Sequence, residues 1–167
     1  MKRKKAAPDV MLDISENFQP VEKGFKRSSL GLLKPNSADL IKMDGVLEQR
    51  PGKERPAAMR QIYKALKPGG RAVFTASHWS TAAASMNPFS CWPPISPESL
   101  GFFSEEVRKR SNHTKDSRLN DIDFDLQWAE MYPPDWQTRS DKVREFAARH
   151  YNNVLIGLAV TMTKKGK

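Results

Sequence analysis

The amino-acid sequence predicts an α/β fold built around a parallel strand pair, and three features predict it. Two apolar runs of strand length, residues 38–43 and 72–76, are each bounded by turn residues. Between them Met59, Ile62, Tyr63 and Leu66 recur at helical spacing and draw one apolar stripe. Late in the chain Ile122, Phe124 and Leu126 alternate with polar residues, the period-two pattern of a strand with one wet face. Strand, right-handed helical crossover and parallel strand is the economical way to connect the first trio.

Taken in order, the chain opens on a basic stretch, 1–8, expected to be a disordered tail. Residues 10–15 read as a short apolar strand carrying an acid, Asp13, near its end. The segment 16–36 is polar, with Pro20, Gly24, Gly31 and Pro35, and offers only Leu30 to Leu33 as a short edge strand. Pro35, Asn36 and Ser37 form a turn into the first apolar run. Pro56 suits the first helical turn, where a missing N–H costs nothing. Lys64 and Lys67 favour the helix end, where Pro68, Gly69 and Gly70 are expected to stop it with a glycine free for a left-handed cap.

Beyond His78 and Trp79 a small-residue loop is expected as far as Cys91, Trp92, Pro93, Pro94 and Ile95. Prolines 88, 93, 94 and 97 exclude a long regular element. Ser96 reads as a helix cap with Pro97 just inside, Phe102 and Phe103 as anchors, and Ser104 as the start of a second short helix. Pro133 and Pro134 close the alternating strand. Ser140 can cap a helix whose stripe is Val143, Phe146, Ala147 and His150, and residues 154–162 are apolar enough for a last strand.

Composition narrows the function classes. A chain of 167 residues with 38% hydrophobic residues, four Trp and eight Phe is expected to fold as one domain, 9–163, with tails 1–8 and 164–167. No apolar run approaches the roughly 18 residues that span a bilayer, so no membrane is expected. No apolar signal core follows the basic start, and a lone Cys91 excludes an internal disulfide, which makes the cytoplasm the expected location. Cys91 cannot alone build a zinc site, and no metal spacing occurs. The net charge of +9 is concentrated in Lys2, Arg3, Lys4, Lys5, Lys164, Lys165 and Lys167, leaving 21 basic and 19 acidic residues in the body. Nucleic acid is therefore expected only as a weak, salt-sensitive contact of the tails.

The segments Asp39-Leu-Ile-Lys-Met, Val46-Leu47-Glu48 and Ile62-Tyr63-Lys64-Ala-Leu66-Lys67-Pro68-Gly69-Gly70-Arg-Ala-Val73-Phe74 resemble the class I S-adenosylmethionine-dependent methyltransferases. In that family a strand ending near Leu-Glu-His leads into a helix closed by a Leu-Lys-Pro-Gly-Gly turn; here Gln49 stands in place of the His. The resemblance covers roughly residues 9 to 80. It implies an incomplete Rossmann-like methyltransferase sheet, mostly parallel, with a closing antiparallel strand pair late in the chain. The family's first strand, glycine-rich turn and first helix have no counterpart upstream of Asp13, so the chain is expected to be truncated at its N-terminus or a degenerate relative.

The resemblance also implies a cofactor, S-adenosyl-L-methionine, and residues to hold it. Asp13, at the tip of the second family strand, would accept ribose hydroxyls; the plain alternative is an acid capping a turn with Ser15. Met43, Asp44 and Gly45 lie at the next strand tip, beside which the family places the cofactor's amino-acid end; the alternative is an ordinary Asp-Gly turn. Leu47 follows them, and Glu48 is either pocket rim or a solvated acid. His78 is the candidate catalytic base, with an ordinary pKa of about 6.5, although a lone histidine is commonly a hydrogen-bonded loop residue. Trp79 and Trp92 are candidates for the acceptor side, and each could simply pack down. The function implied is methyl transfer to an unidentified acceptor; the alternative is a non-catalytic relative that keeps the sheet as a binding module.

Overall fold

The computed structural model describes residues 9–16, 20–86, 91–111 and 119–166. The basic segment 1–8, Pro88 and His113 lie outside the described residues. Strands β1 (Met11–Asp13), β2 (Lys26–Arg27), β3 (Ala38–Lys42), β4 (Leu66–Ser77), β5 (Phe124–Met131) and β6 (Gly157–Lys164) form one sheet in the order β2-β1-β3-β4-β6-β5. The first four pair in parallel, β4 with β6 and β6 with β5 antiparallel. This mixed sheet has the Rossmann-like methyltransferase arrangement, with the antiparallel pair closing it. No gap separates β1 from β3: Met11, Leu12 and Asp13 pair with Leu40, Ile41 and Lys42.

Helix α1 (Arg55–Ala65) makes the crossover from β3 to β4. Its stripe does what the spacing implies, because Met59, Ile62 and Tyr63 are all buried against the sheet. The strands answer with Ile41, Ala72, Phe74, Leu158, Val160 and Met162 on the same face. Tyr63 meets Phe124 edge-on with ring centroids 5.0 Å apart. Lys164 is part of this packing and not of a solvated tail: its ammonium lies 4.8 Å from the Tyr63 ring centre and donates to the Leu66 carbonyl at 2.7 Å. Among the described residues the opposite face of β4, β5 and β6 is open, with Arg71, Thr75, Gln127, Ala129 and Ala159 exposed on it.

Three local expectations are corrected. Residues Leu30–Leu32 form a 3-10 turn, not an edge strand; the edge is the two-residue β2, and Leu32 is 73% exposed. The Pro68-Gly69-Gly70 turn does not end α1. The helix ends at Ala65, Leu66 is already extended, and the glycines sit inside a longer β4. There Gly69 (φ +76°) takes up the register shift against β3 between Ala38 and Leu40. The small-residue segment after Trp79 contains a helix, α2 (Ala82–Met86). Helix α6 (Asp141–His150) forms where Ser140 suggests, but of its stripe only Ala147 is buried, and Val143 and Phe146 are about half exposed.

The short helices α3 (Pro97–Gly101) and α4 (Glu105–Arg110) follow the expected starts. In α3 Ser96 accepts from the Ser99 N–H at 3.2 Å while the Ser99 hydroxyl accepts from the Ser96 N–H at 3.0 Å, a reciprocal cap. A turn of helix, α5 (Pro134–Gln137), follows the two prolines that end β5.

Candidate functional site

The carboxyl ends of parallel strands are where open α/β sheets gather ligand contacts. Here the ends of β1, β3 and β4 are laced together. Ser15 is the knot: its N–H donates to Asp13 Oδ1 at 2.9 Å, and its hydroxyl accepts the Asp44 N–H at 3.1 Å. Ile14 and Glu16 add backbone bonds to the carbonyls of Lys42 and Asp44. Asp13 is buried, with the Arg27 guanidinium 3.6 Å from its Oδ1. The residue therefore spends its carboxylate on a turn and an ion pair within the fold.

Asp44 is placed differently. Its Oδ1 accepts the Thr75 N–H at 2.6 Å and the Thr75 hydroxyl at 3.1 Å, while Oδ2 lies 3.7 Å from the Lys42 ammonium. It borders a hollow of about 510 Å³ on the uncovered sheet face, shared with Lys42, Val73, Thr75, Gln127 and Trp128. Gly45, at φ +78°, turns the chain immediately after it in a conformation that favours glycine. Met43 is fully buried, and its N–H donates to the Val73 carbonyl at 3.0 Å. Leu47 is buried in the core on the α1 side. Glu48 accepts the Ser77 N–H at 2.8 Å.

The acceptor-side candidates stand apart from that hollow. His78 follows β4, is 6% exposed, and shares a 2.7 Å hydrogen bond between Nδ1 and the Ser80 hydroxyl. Burial pulls its pKa below the ordinary value, against weaker opposite pulls from Glu130 and Glu98. Its ring lies 5.6 Å from that of Trp79, which is 53% exposed. Trp92 is 80% exposed in the proline-rich loop, which is fixed at Cys91 by the Glu48 carbonyl at 2.7 Å. The structure thus joins Asp13, Asp44 and Gly45 around two strand tips, leaves His78 and Trp79 together at the end of β4, and sets Trp92 over Gly52, whose N–H its carbonyl accepts.

Lys42 and Thr75 were not singled out from the sequence, and Ser15 only as the turn partner of Asp13. Thr75 was within reach, because alternation along β4 turns it to the face opposite Phe74, at the level of the Asp44 turn. Ser15 carried only its position two residues after Asp13. Among the described residues no group of three or more His, Cys, Asp and Glu side chains is arranged to hold a metal ion. No helix among them is long and apolar enough to cross a membrane.

No family model and no curated protein matches the chain. Solved structures do match. An S-adenosylmethionine-dependent methyltransferase from Archaeoglobus fulgidus is 15% identical over 84% of this chain and 67% of its own, with a TM-score of 0.52. One from Mesorhizobium loti is 20% identical, covering 93% of this chain and 80% of its own, with a TM-score of 0.46. A Bordetella parapertussis protein described as a possible exported protein is 18% identical over 85% of this chain, with a TM-score of 0.42; this chain spans 45% of its length. The likeness to the Archaeoglobus structure shows a shared fold.

Proposed function

We propose that the chain serves S-adenosylmethionine-dependent methyl transfer to an acceptor whose identity is open. The observation that supports this most is the β3–α1–β4 unit, whose tip holds Asp44 beside a hollow of about 510 Å³ in a fold shared with a methyltransferase. When bound, S-adenosylmethionine supplies an electrophilic methyl group on a sulfonium. Both that sulfonium and the ammonium of its methionine part are cations. The Asp44 carboxylate, held in place by Thr75, is an anion of fixed direction at the edge of the hollow. Gly45 lets backbone approach a ligand there without a side chain in the way.

The fit is one-sided. Asp44 opens onto the hollow, whereas Asp13 is closed in by Ser15 and Arg27, so a ribose contact at Asp13 requires it to exchange those partners. Methyl transfer asks little of acid–base groups and much of orientation. Burial lowers the His78 pKa, which favours the form that can take a proton from an acceptor, and Trp79 is the accessible aromatic surface beside it. The closed Asp13 favours a second reading, in which the sheet is a non-catalytic binding module.

Equilibrium dialysis against labelled S-adenosylmethionine separates the two. Retention is expected, weakened about tenfold in Asp44→Asn by the loss of a charge-assisted contact. No retention at about 1 mM cofactor, a concentration that detects even weak sites, would leave the binding-module reading standing.

A further inference from the structure

A second cavity, of about 420 Å³, lies on the α1 side of the sheet beneath the proline-rich loop. Its walls include Leu47, Pro56, Pro93, Ile95, Leu100 and Phe103. Two cations, Lys53 and Arg55, line it as well. Arg55 is 7% exposed and opens α1, an 11-residue helix with no acidic residue in its first turn. Its guanidinium bonds to three carbonyls: Nε to Leu47 at 2.9 Å and to Arg50 at 3.1 Å, Nη2 to Cys91 at 2.9 Å. These carbonyls take up Nε and one hydrogen of Nη2, and they do not neutralise the charge. Among the described residues no carboxylate forms an ion pair with Arg55, although the Glu48 carboxylate favours its charge.

A cation at a helix N-terminus is at the unfavourable end of the dipole, and a buried cation without a counter-ion is costly. The roof over the cavity is fixed: the Gly52 N–H donates to the Trp92 carbonyl at 3.2 Å, and a Cβ on Gly52 would come within 2.6 Å of Pro93. An apolar chamber with a positive end, held open by a stapled loop, is a chemical description of what fits it. We propose that this cavity binds an amphiphilic carboxylate, its hydrocarbon body against Leu100 and Phe103 and its anionic head toward Arg55 and Lys53. Leu47 is the single residue that this site shares with those assigned to the cofactor, and the two sites are tested separately.

Isothermal titration of the full chain with decanoate, and with decan-1-ol as the uncharged analogue, tests it. Decanoate is expected to bind about tenfold or more tightly than the alcohol, the margin of one charge-assisted contact. Arg55→Met is expected to remove that margin, but it also cuts three structural hydrogen bonds. Lys53→Glu supplies the cleaner variant, because Lys53 is exposed, whereas Arg55 is buried and bonded to three carbonyls; it is expected to weaken decanoate several-fold and leave the alcohol unchanged. Equal affinity for acid and alcohol, an unchanged decanoate affinity in Lys53→Glu, or no heat at about 1 mM ligand would each overturn the proposal. None of these outcomes depends on whether S-adenosylmethionine is retained in dialysis.

Discussion

A buried histidine with a neutral hydrogen-bond partner ties stability to pH, and the direction follows from which state holds more protons. Burial lowers the folded pKa of His78 below the ordinary value of about 6.5 that it has in the unfolded chain. Between those two values the unfolded chain binds more protons, so stability rises with pH there and is fully present above the ordinary value. It is lost as pH falls from the ordinary value through the folded one. Urea midpoints measured from pH 7.5 down to pH 5 should therefore decline, and His78→Asn should flatten the decline; the same slope in both proteins would show that other groups cause it. At this scale the sequence was informative about chemistry and silent about partners. Asp44 followed by Gly45 marked a turn that needs glycine, and the turn is there at φ +78°. That Asp13 caps a turn with Ser15 was the plain alternative in the sequence, and the bond is there; its pairing with Arg27 was not readable, because Arg27 comes from a strand of two residues with no periodicity to announce it.

Elements form where local sequence is unopposed, and fail where the sheet competes for the same residues. Helix α1 was legible because its stripe, Pro56 and Lys64 agree with one another. Its stop was misjudged because Pro68, Gly69 and Gly70 suit a strand irregularity as well as a helix cap, and pairing with β3 selects the former. Gly70 shows how tight that pairing is: a Cβ there would lie 2.9 Å from the Lys67 carbonyl oxygen and 3.1 Å from that of Ala38. Backbone cannot yield as a flexible side chain does, so Gly70→Ala is expected to cost about 1–3 kcal/mol in urea unfolding, as overpacking does. Gly31, with nothing within 4 Å of an added Cβ, is the control, and Gly31→Ala should stay within about 0.5 kcal/mol of the parent. Similar costs at both positions would mean that the irregularity in β4 is not held by Ala38. At the start of α3 the sequence was right in detail, because a Ser-Pro cap depends on four consecutive residues and nothing distant.

For the whole molecule the decisive fact is that, among the described residues, β4, β5 and β6 have one face covered and the other open. Antiparallel sheets tolerate a wet face, and parallel ones are ordinarily covered on both. Strand order was out of reach of periodicity, which tells a strand's faces but not its neighbours; the family resemblance supplied the closing antiparallel pair, and the pairing of β4, β6 and β5 agrees with it. Helix α6 forms where the sequence places it, yet most of its stripe is exposed. Amphipathicity shows that a helix has an apolar side, while whether a neighbour meets it depends on tertiary structure. The two aromatic residues Phe124 and Phe146 turn this into a measurement. Phe124 is fully buried, packed edge-on against Tyr63 between the helix and the antiparallel strands, whereas Phe146 is 56% exposed. Phe124→Ala is expected to cost about 3–5 kcal/mol, the usual penalty for emptying an aromatic core position. Phe146→Ala should cost about 0.5 kcal/mol or less, since little apolar surface returns to water. Amide exchange should show the same division, with β4 and β6 slowest and α6 and β2 among the first to exchange, because regions with few buried contacts open at low free energy. If α6 instead exchanged as slowly as β4, or Phe146→Ala proved as damaging as Phe124→Ala, its apolar side would be covered in solution and the molecule would have a second layer on that side.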